Sequence, residues 1–390
     1  VAARGGPRGT LPGPAAALAR AGFRVIEGGI NALCRYCGRG AREPLLPVNF
    51  LLTDAGQADL ARVLEDVSYP GLPYADLAAE EEGLSYRFLC DALGGADAGP
   101  PGGSSAFVQG ALRFDPLRGV FLDPEGVYPR LRVLELEPRF DPAGPWPAEA
   151  LFEAAVLVSR TPYSVPRASA AGQGSLGGSD PDRSPAGTAM QRDLLSLVLT
   201  GAYPWKGLGL LRDAGFIERE WPEIAQLFDV EHSKEFHPEG GAWDHTLETF
   251  RYRKEPDLLL SLALLLHDTG KPLSINAEGH RFDRHAELGA RTARDFLGRL
   301  GFPSALSASV SFLVGKHMLP AALPRLPLSR TEEALESPLF PVLLELFRCD
   351  MSSTFMGPGA YYEACTAYRR YKRNVKNPYR KADGSLRKKE

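Results

Sequence analysis

The sequence predicts an α+β N-terminal head followed by an all-α neck and an all-α C-terminal domain. Three observations carry this. Short apolar segments with β-branched and aromatic residues fall before residue 140, and segments with helical spacing of apolar positions fall after residue 190. Two Gly/Pro/Ser-rich stretches interrupt the first half. A length of 390 residues allows two to three domains. With 44% hydrophobic and 24% charged residues, the composition excludes global disorder, collagen and coiled coil. The formal net charge of −3 excludes a whole-chain basic field, so any nucleic-acid contact needs a local patch.

In chain order, FRVIEGG (23–29) reads as a strand running into a glycine turn and PVNFLLT (47–53) as a second strand. Residues 58–67 have helical spacing, and GGADAGPPGGSSA (94–106) reads as a loop. RLRVLELE (130–137) alternates like an exposed edge strand. In 168–189, 16 of 22 residues are Ala, Gly, Ser or Pro, which cannot bury a core and predict a disordered insertion. Residues 193–199, 207–217 and 222–228 are short helices broken by Gly and Pro. The helix over 257–268 is apolar on nearly all sides, hence central. Residues 287–300 are amphipathic, with Leu288, Ala290, Ala293, Phe296, Leu297 and Leu300 on the buried side. Helices over 305–314, 339–349 and 361–371 follow. The expected domains are a head (1–145), a neck (146–230), a helical domain (231–355) and a basic C-terminal helix and tail (356–390).

The longest apolar run, 258–266, is interrupted by Ser261 and falls short of the roughly 20 residues a membrane span needs. Arg4, Arg8, Arg20 and Arg24 precede the first acid, Glu27, with no apolar h-region, so no secretory signal is expected. Cys34, Cys37, Cys90, Cys349 and Cys365 are too scattered for a disulfide framework and point to a reducing, cytoplasmic setting. Cys34-x-x-Cys37 has zinc-knuckle or redox spacing, but no second pair follows and it reads as incidental.

All seven histidines fall within 86 residues, and imidazole is the commonest ligand of first-row metals. In LLLHDTGKP, His267 and Asp268 end a buried helix before a Thr-Gly turn. Neighbours on a helix point about 100° apart, so both can grip one metal only at a helix end, where the Asp can also bridge to a second ion. His245, His285, His317 and Asp350 each lie near the end of another predicted helix, and packed helices could converge these ends on one pocket. The expected metal ligands are His245, His267, Asp268 and Asp350, with His285 and His317 completing a second metal site or contacting phosphate. Asp268 and Lys271 are the expected catalytic pair, Lys271 holding phosphate as a point charge. Imidazoles and carboxylates without thiolate suit Mn, Fe, Co, Ni or Mg better than a structural zinc. His232, His237 and His280 read as surface residues or supports of the ligands. The plainer alternative is a set of satisfied core histidines and a capping aspartate.

At these residues the sequence resembles the HD superfamily of metal-dependent phosphohydrolases. More narrowly, it is similar to the HD domain of some bacterial tRNA nucleotidyltransferases of the poly(A) polymerase family. EFHPEGGAWDHTLETF (235–250), ALLLHDTGKP (263–272), RFDRHAELGA (281–290) and FLVGKHMLP (312–320) carry the resemblance, and GLLRDAGFIEREWPEI (209–224) resembles that family's neck. It covers 190–355 well and extends weakly to the start. It implies a nucleotidyltransferase-like head, but a degenerate one. In GGINAL (28–33), Ala32 and Leu33 stand where the family has Arg-Asp, and in PVNFLLTDA (47–55), Val48 and Phe50 stand where it has two metal-binding aspartates. In EEGLSYRFLCDAL (81–93), Arg87 takes the place of a third acid. FDPLRGVFLDPEGVYPRLR (114–132) resembles the block closing the head. In LFEAAVLVSR (151–160), only Glu153 and Arg160 remain of the nucleotide-selecting residues.

The last 30 residues hold ten Lys/Arg and three Asp/Glu, interleaved with Tyr361, Tyr362, Tyr368, Tyr371 and Tyr379. The basic stretch over 369–389 suits an RNA strand, or simply a solvated tail. The expected function is therefore metal-dependent hydrolysis of a nucleotide or RNA (tRNA included) phosphoester. The alternatives are an active CCA-adding tRNA nucleotidyltransferase or poly(A) polymerase, and a non-catalytic RNA-binding protein.

Overall fold

The structure, a computed structural model, describes residues 13–38, 46–93, 105–166, 187–231, 240–274, 284–354 and 357–386. His232, His237 and His280, the tip of the 94–106 loop and most of the 168–189 insertion lie outside the described residues. Two compact units are formed, Val1–Glu220 and Trp221–Glu390. The first contains a mixed sheet with helices and the second is helical, as the α+β head and all-α remainder require.

In the first unit, β1 (Val25–Glu27), β2 (Val48–Thr53), β3 (Val67–Ser68), β4 (Leu77–Glu81), β5 (Leu84–Leu89), β6 (Arg113–Asp115) and β7 (Val120–Leu122) form one sheet in the order β3-β4-β5-β2-β1-β6-β7. Strands β2 and β5 run parallel, and the other described pairs are antiparallel. The β4–β5 hairpin turns through Glu82 (φ 51°) and Gly83 (φ 80°), the pair of positive φ angles that a two-residue turn needs to match strand twist. Helices α1 (Gly13–Arg20), α2 (Gly29–Cys37) and α3 (Gln57–Val63) precede α4 (Ala148–Arg160), α5 (Thr188–Leu199), α6 (Pro204–Asp213) and α7 (Phe216–Glu220). One sheet face buries Leu51, Leu77, Ala79, Tyr86 and Phe88 against Ala15 and Leu18 of α1 and Leu60 of α3. Side chains alternate along a strand, so Val48, Phe50 and Leu52 project from the other face. Phe50 is paired with Arg87, which puts Arg87 on that face too.

Three local expectations need correction. Residues 130–137 are not a strand. Tyr128–Arg132 is a 3-10 turn with Pro129 in its first turn, and Glu135 forms a single bridge to Ser164. The buried residues there are Leu131 and Leu136, five apart, while Val133 and Leu134 face solvent. The helix expected over 207–217 is interrupted at Gly215 (φ 66°). Helix α5 starts at Thr188, so the insertion ends before residue 189.

The second unit comprises α8 (Pro222–Ala225), α9 (Ala242–Thr249), α10 (Leu258–Leu266), α11 (His285–Arg299), α12 (Ser304–Lys316), α13 (Leu319–Ala322), α14 (Glu332–Glu336), α15 (Phe340–Ser352) and α16 (Gly359–Lys376). Helix α10 is capped by Asp257, whose carboxylate accepts from the Leu260 amide at 2.8 Å. From Leu260 to Leu266 every residue is buried, and the helix packs against α9, α12 and α15. Its all-round apolarity follows from that central place. Past its end, Gly270 lies so close to the start of α11 that an added Cβ would sit 2.0 Å from the His285 carbonyl oxygen and 2.4 Å from the Gly289 nitrogen. Only glycine lets the His-Asp turn approach His285 so closely. No helix among the described residues is long and apolar enough to cross a membrane.

Candidate metal centre

Five helix ends or turns bring six side chains together. His245 comes from α9, His267 caps α10 with Asp268 next to it, His285 opens α11, His317 caps α12, and Asp350 lies in the last turn of α15. They form two triads, His245–His267–Asp350 and Asp268–His285–His317, within each of which the donor atoms lie within 4.8 Å of one another. Asp268 joins them. Its Oδ2 is 3.3 Å from His267 Nε2 and its Oδ1 is 3.9 Å from His285 Nε2. All six residues proposed from sequence as ligands thus meet in one place, and Lys271 Nζ donates to Asp268 Oδ2 at 2.6 Å.

The hydrogen bonds fix which nitrogens carry lone pairs. His267 Nδ1 lies 2.8 Å from the Leu264 carbonyl and His317 Nδ1 lies 2.7 Å from the Val314 carbonyl. A carbonyl only accepts, so both Nδ1 atoms carry hydrogen and, in the neutral ring, both Nε2 atoms are bare. His267 Nε2 is buried and has no hydrogen-bond partner. His317 Nε2 faces His285 Nε2 at 3.1 Å. Ser353 donates its hydroxyl to the Asp350 carbonyl at 2.6 Å, which leaves its Oγ to accept from His245 Nδ1 at 3.1 Å. His245 Nε2 then faces Asp350 Oδ1 at 3.0 Å. A buried lone pair without a donor and a lone pair aimed at a carboxylate are both costly unless a cation lies among them. The donor set therefore fits divalent cations.

The charges agree. Burial works against ionised Asp268, but His267 and Lys271 outweigh it and hold its pKa well below the usual carboxylate range. Burial likewise opposes the Asp350 carboxylate; where no cation lies between them, a proton on His245 Nε2 takes its place and donates to Asp350, and together with His267 this outweighs burial and lowers the pKa. Burial, followed by the neighbouring His267, pushes His317 from 6.5 down to about 4.

The His317 shift carries a pH prediction for the metal-free protein. Between pH 6.5 and 4 the unfolded chain binds a proton at this ring and the folded one does not, so stability falls as pH drops through that window, by up to about 3 kcal/mol. The lowered Asp268 and Asp350 keep their contributions until the pH falls below their unfolded values near 4. Urea melts at pH 7, 5.5 and 4.5 should show this slope in the wild type and a flatter one in His317→Gln; equal slopes would contradict it.

Ser353 escaped the sequence reading. Its signal was the spacing Asp350-x-x-Ser353, which places both on one side of a helix end. In the first unit, the positions compared above with metal-binding acids hold Val48, Phe50 and Arg87 on one sheet face. Phe50 packs against Tyr74 and Phe152, with ring centroids 5.5 and 6.4 Å away. Arg87 is locked by Asp193 of α5 through two bonds of 2.8 Å. Among the described residues, both groups of side chains able to hold a metal belong to the second unit. Cys34 is buried and Cys37 half-buried on α2, and neither belongs to such a group.

Residues 240–340 match the family model of the HD domain, so this part of the chain is an HD domain. Asp350 lies beyond the matched span. The CC-adding tRNA nucleotidyltransferase of Thermus thermophilus is 33% identical over 211 residues, covering 51% of this chain and 46% of that protein. The Multifunctional CCA protein of Halorhodospira halophila is 36% identical over 117 residues, 30% of this chain and 28% of that one. The matched part of the chain spans less than half the length of either relative. A crystal structure of the Bacillus stearothermophilus CCA-adding enzyme in complex with CTP superposes loosely, with a TM-score of 0.49 and 14% identity over 93% of this chain and 81% of that one.

Proposed function

We propose that the HD domain is a metal-dependent phosphohydrolase acting on a nucleotide or RNA phosphoester, and that the head no longer transfers nucleotides. The observation that carries this reading is the buried, unpartnered Nε2 of His267 at the junction of two ligand triads. His245, His267 and Asp350 would hold one divalent cation, and Asp268, His285 and His317 a second, of the Mn, Fe, Co, Ni or Mg class. A divalent cation so held neutralises charge on a phosphoryl oxygen and acidifies water. Lys271, side-chain exposure 12%, would bind the phosphate as a point charge while Asp268 Oδ2 orients its ammonium. The head (1–145), neck (146–230), HD domain (231–355) and basic tail (356–390) would be the working parts. Arg369, Lys372, Arg373 and Lys376 line one concavity with Tyr368 and Tyr379, which suits an RNA backbone and its bases.

A second reading, addition of CC or CCA to tRNA, is favoured by the names of the relatives and opposed by Val48, Phe50 and Arg87, which cannot ligate a cation. Three measurements separate the two. Elemental analysis should find divalent metal in the wild type and little in His267→Ala. Bis-p-nitrophenyl phosphate or 2′,3′-cyclic nucleotides should be hydrolysed, and chelation should stop it. Labelled CTP or ATP should not enter tRNA. A metal-free, inert wild type would remove the first reading, and incorporation would restore the second.

A further inference from the structure

His245, His267 and His317 do not obtain their Nδ1 partners in the same way. His267 and His317 cap α10 and α12, where the last carbonyls of a helix lack partners within it. Each ring turns back onto its own helix, three residues earlier, onto the Leu264 or Val314 carbonyl. His245 cannot do this. It is the fourth residue of α9, its own amide occupies the Gly241 carbonyl at 3.0 Å, and the Thr246 hydroxyl occupies the Ala242 carbonyl at 2.8 Å. Its Nδ1 instead meets Ser353, the C-terminal cap of α15, which is 108 residues away in sequence. Both residues are buried, Ser353 being 7% and His245 1% exposed. The same hydroxyl donates to the carbonyl of Asp350, one turn earlier in α15. One Oγ thus ties the two ligands contributed by α9 and α15 to each other, with His245 Nε2 standing 3.0 Å from Asp350 Oδ1.

We infer that Ser353 is a positioning residue of the His245–His267–Asp350 triad and sets its affinity for a divalent cation. A hydroxyl can both donate and accept. Accepting from Nδ1–H, it keeps the neutral ring in the form whose lone pair is on Nε2. Alanine would remove this acceptor from a buried N–H, and a buried donor left unsatisfied is costly. The ring avoids that cost by carrying its hydrogen on Nε2 and donating it to Asp350, which fills the place of a cation. Affinity then falls although no ligand has been lost. The second triad draws its donors from α11, the cap of α12 and the turn after α10, so the effect is confined to one of the two sites. The inference rests on reading both triads as cation sites, and it adds a residue that ligates neither.

The test is a titration of the metal-stripped full chain with Mn²⁺, the free ion being followed by electron paramagnetic resonance. The wild type should take up two equivalents. Ser353→Ala should bind one as tightly as wild type and the other about 10–100-fold more weakly, the usual cost of losing a group that orients a ligand. Ser353→Thr, which keeps the hydroxyl, should bring the second equivalent back to within a few-fold. Ser353→Cys, close in shape but a weak acceptor, should behave like alanine and keeps the test open if alanine unfolds the helix end. In a His245→Ala background, Ser353→Ala should cost no further affinity, because the hydroxyl acts through that ring. A wild type that binds no Mn²⁺ would remove the cation reading of the triads itself. Two equivalents as tight as wild type in Ser353→Ala, or an equal loss at both sites, would overturn this inference and leave that reading standing.

Discussion

Replacing Asp268 by alanine should lower metal-dependent phosphodiester hydrolysis by more than about 100-fold, since even an outer partner of a metal ligand is worth about 10–100-fold. The carboxylate reaches both triads, with Oδ2 towards His267 and Lys271 and Oδ1 towards His285. Without it, the Asp268–His285–His317 triad loses one of its three donors, the other triad loses a neighbouring negative charge, and Lys271 loses the oxygen that orients it. Metal content measured on the same sample should fall together with turnover. Lys271→Met separates the contributions, because it removes the ammonium and leaves all six donors in place. It should keep the metal and raise KM for the phosphodiester. Turnover within a few-fold of wild type in Asp268→Ala would show that the histidine cluster is not where the chemistry occurs.

The candidate centre was more legible in the sequence than the fold of the head was. His267 and Asp268 follow an unbroken apolar helix, so their place at a buried helix end could be read locally. The other candidate residues were picked out because each lies at or near the end of a predicted helix; in the structure His285, His317 and Asp350 do, while His245 lies one turn into its helix. What could not be read was which ring nitrogen faces inward. That depends on Nδ1 bonds to the Leu264 and Val314 carbonyls, which form only once each chain end has turned. Strand β5 went unseen because its middle is covered on both faces. Tyr86, Arg87 and Phe88 are consecutive and all buried, which erases the alternation that marks a half-exposed strand. RLRVLELE failed the opposite way: it alternates, yet only Glu135 of its core, through one bridge to Ser164, finds a strand-like partner.

Arg87 explains why local pattern fails there, and it carries the largest expected loss of stability. Its partner Asp193 is 106 residues away, and both side chains are 1% exposed. Burial opposes the charge on Arg87, but the two Asp193 bonds outweigh it and raise its pKa, so the guanidinium stays charged throughout the physiological range. Asp193→Ala strands that charge next to Phe50 and Tyr74, with only the exposed Glu80 at 3.4 Å to meet it. Breaking a buried pair from one side costs about 3–5 kcal/mol. For a unit of this size that is about 6–20 °C in the melting temperature of the first unit. Arg87→Met with Asp193→Leu should recover much of the loss, because apolar groups of similar volume avoid desolvating two ions. A double variant no more stable than Asp193→Ala would mean that the pair does more than fill a site where no cation binds. A single variant as stable as wild type would mean that water reaches Arg87, and that this face of the sheet is more open than its packing indicates.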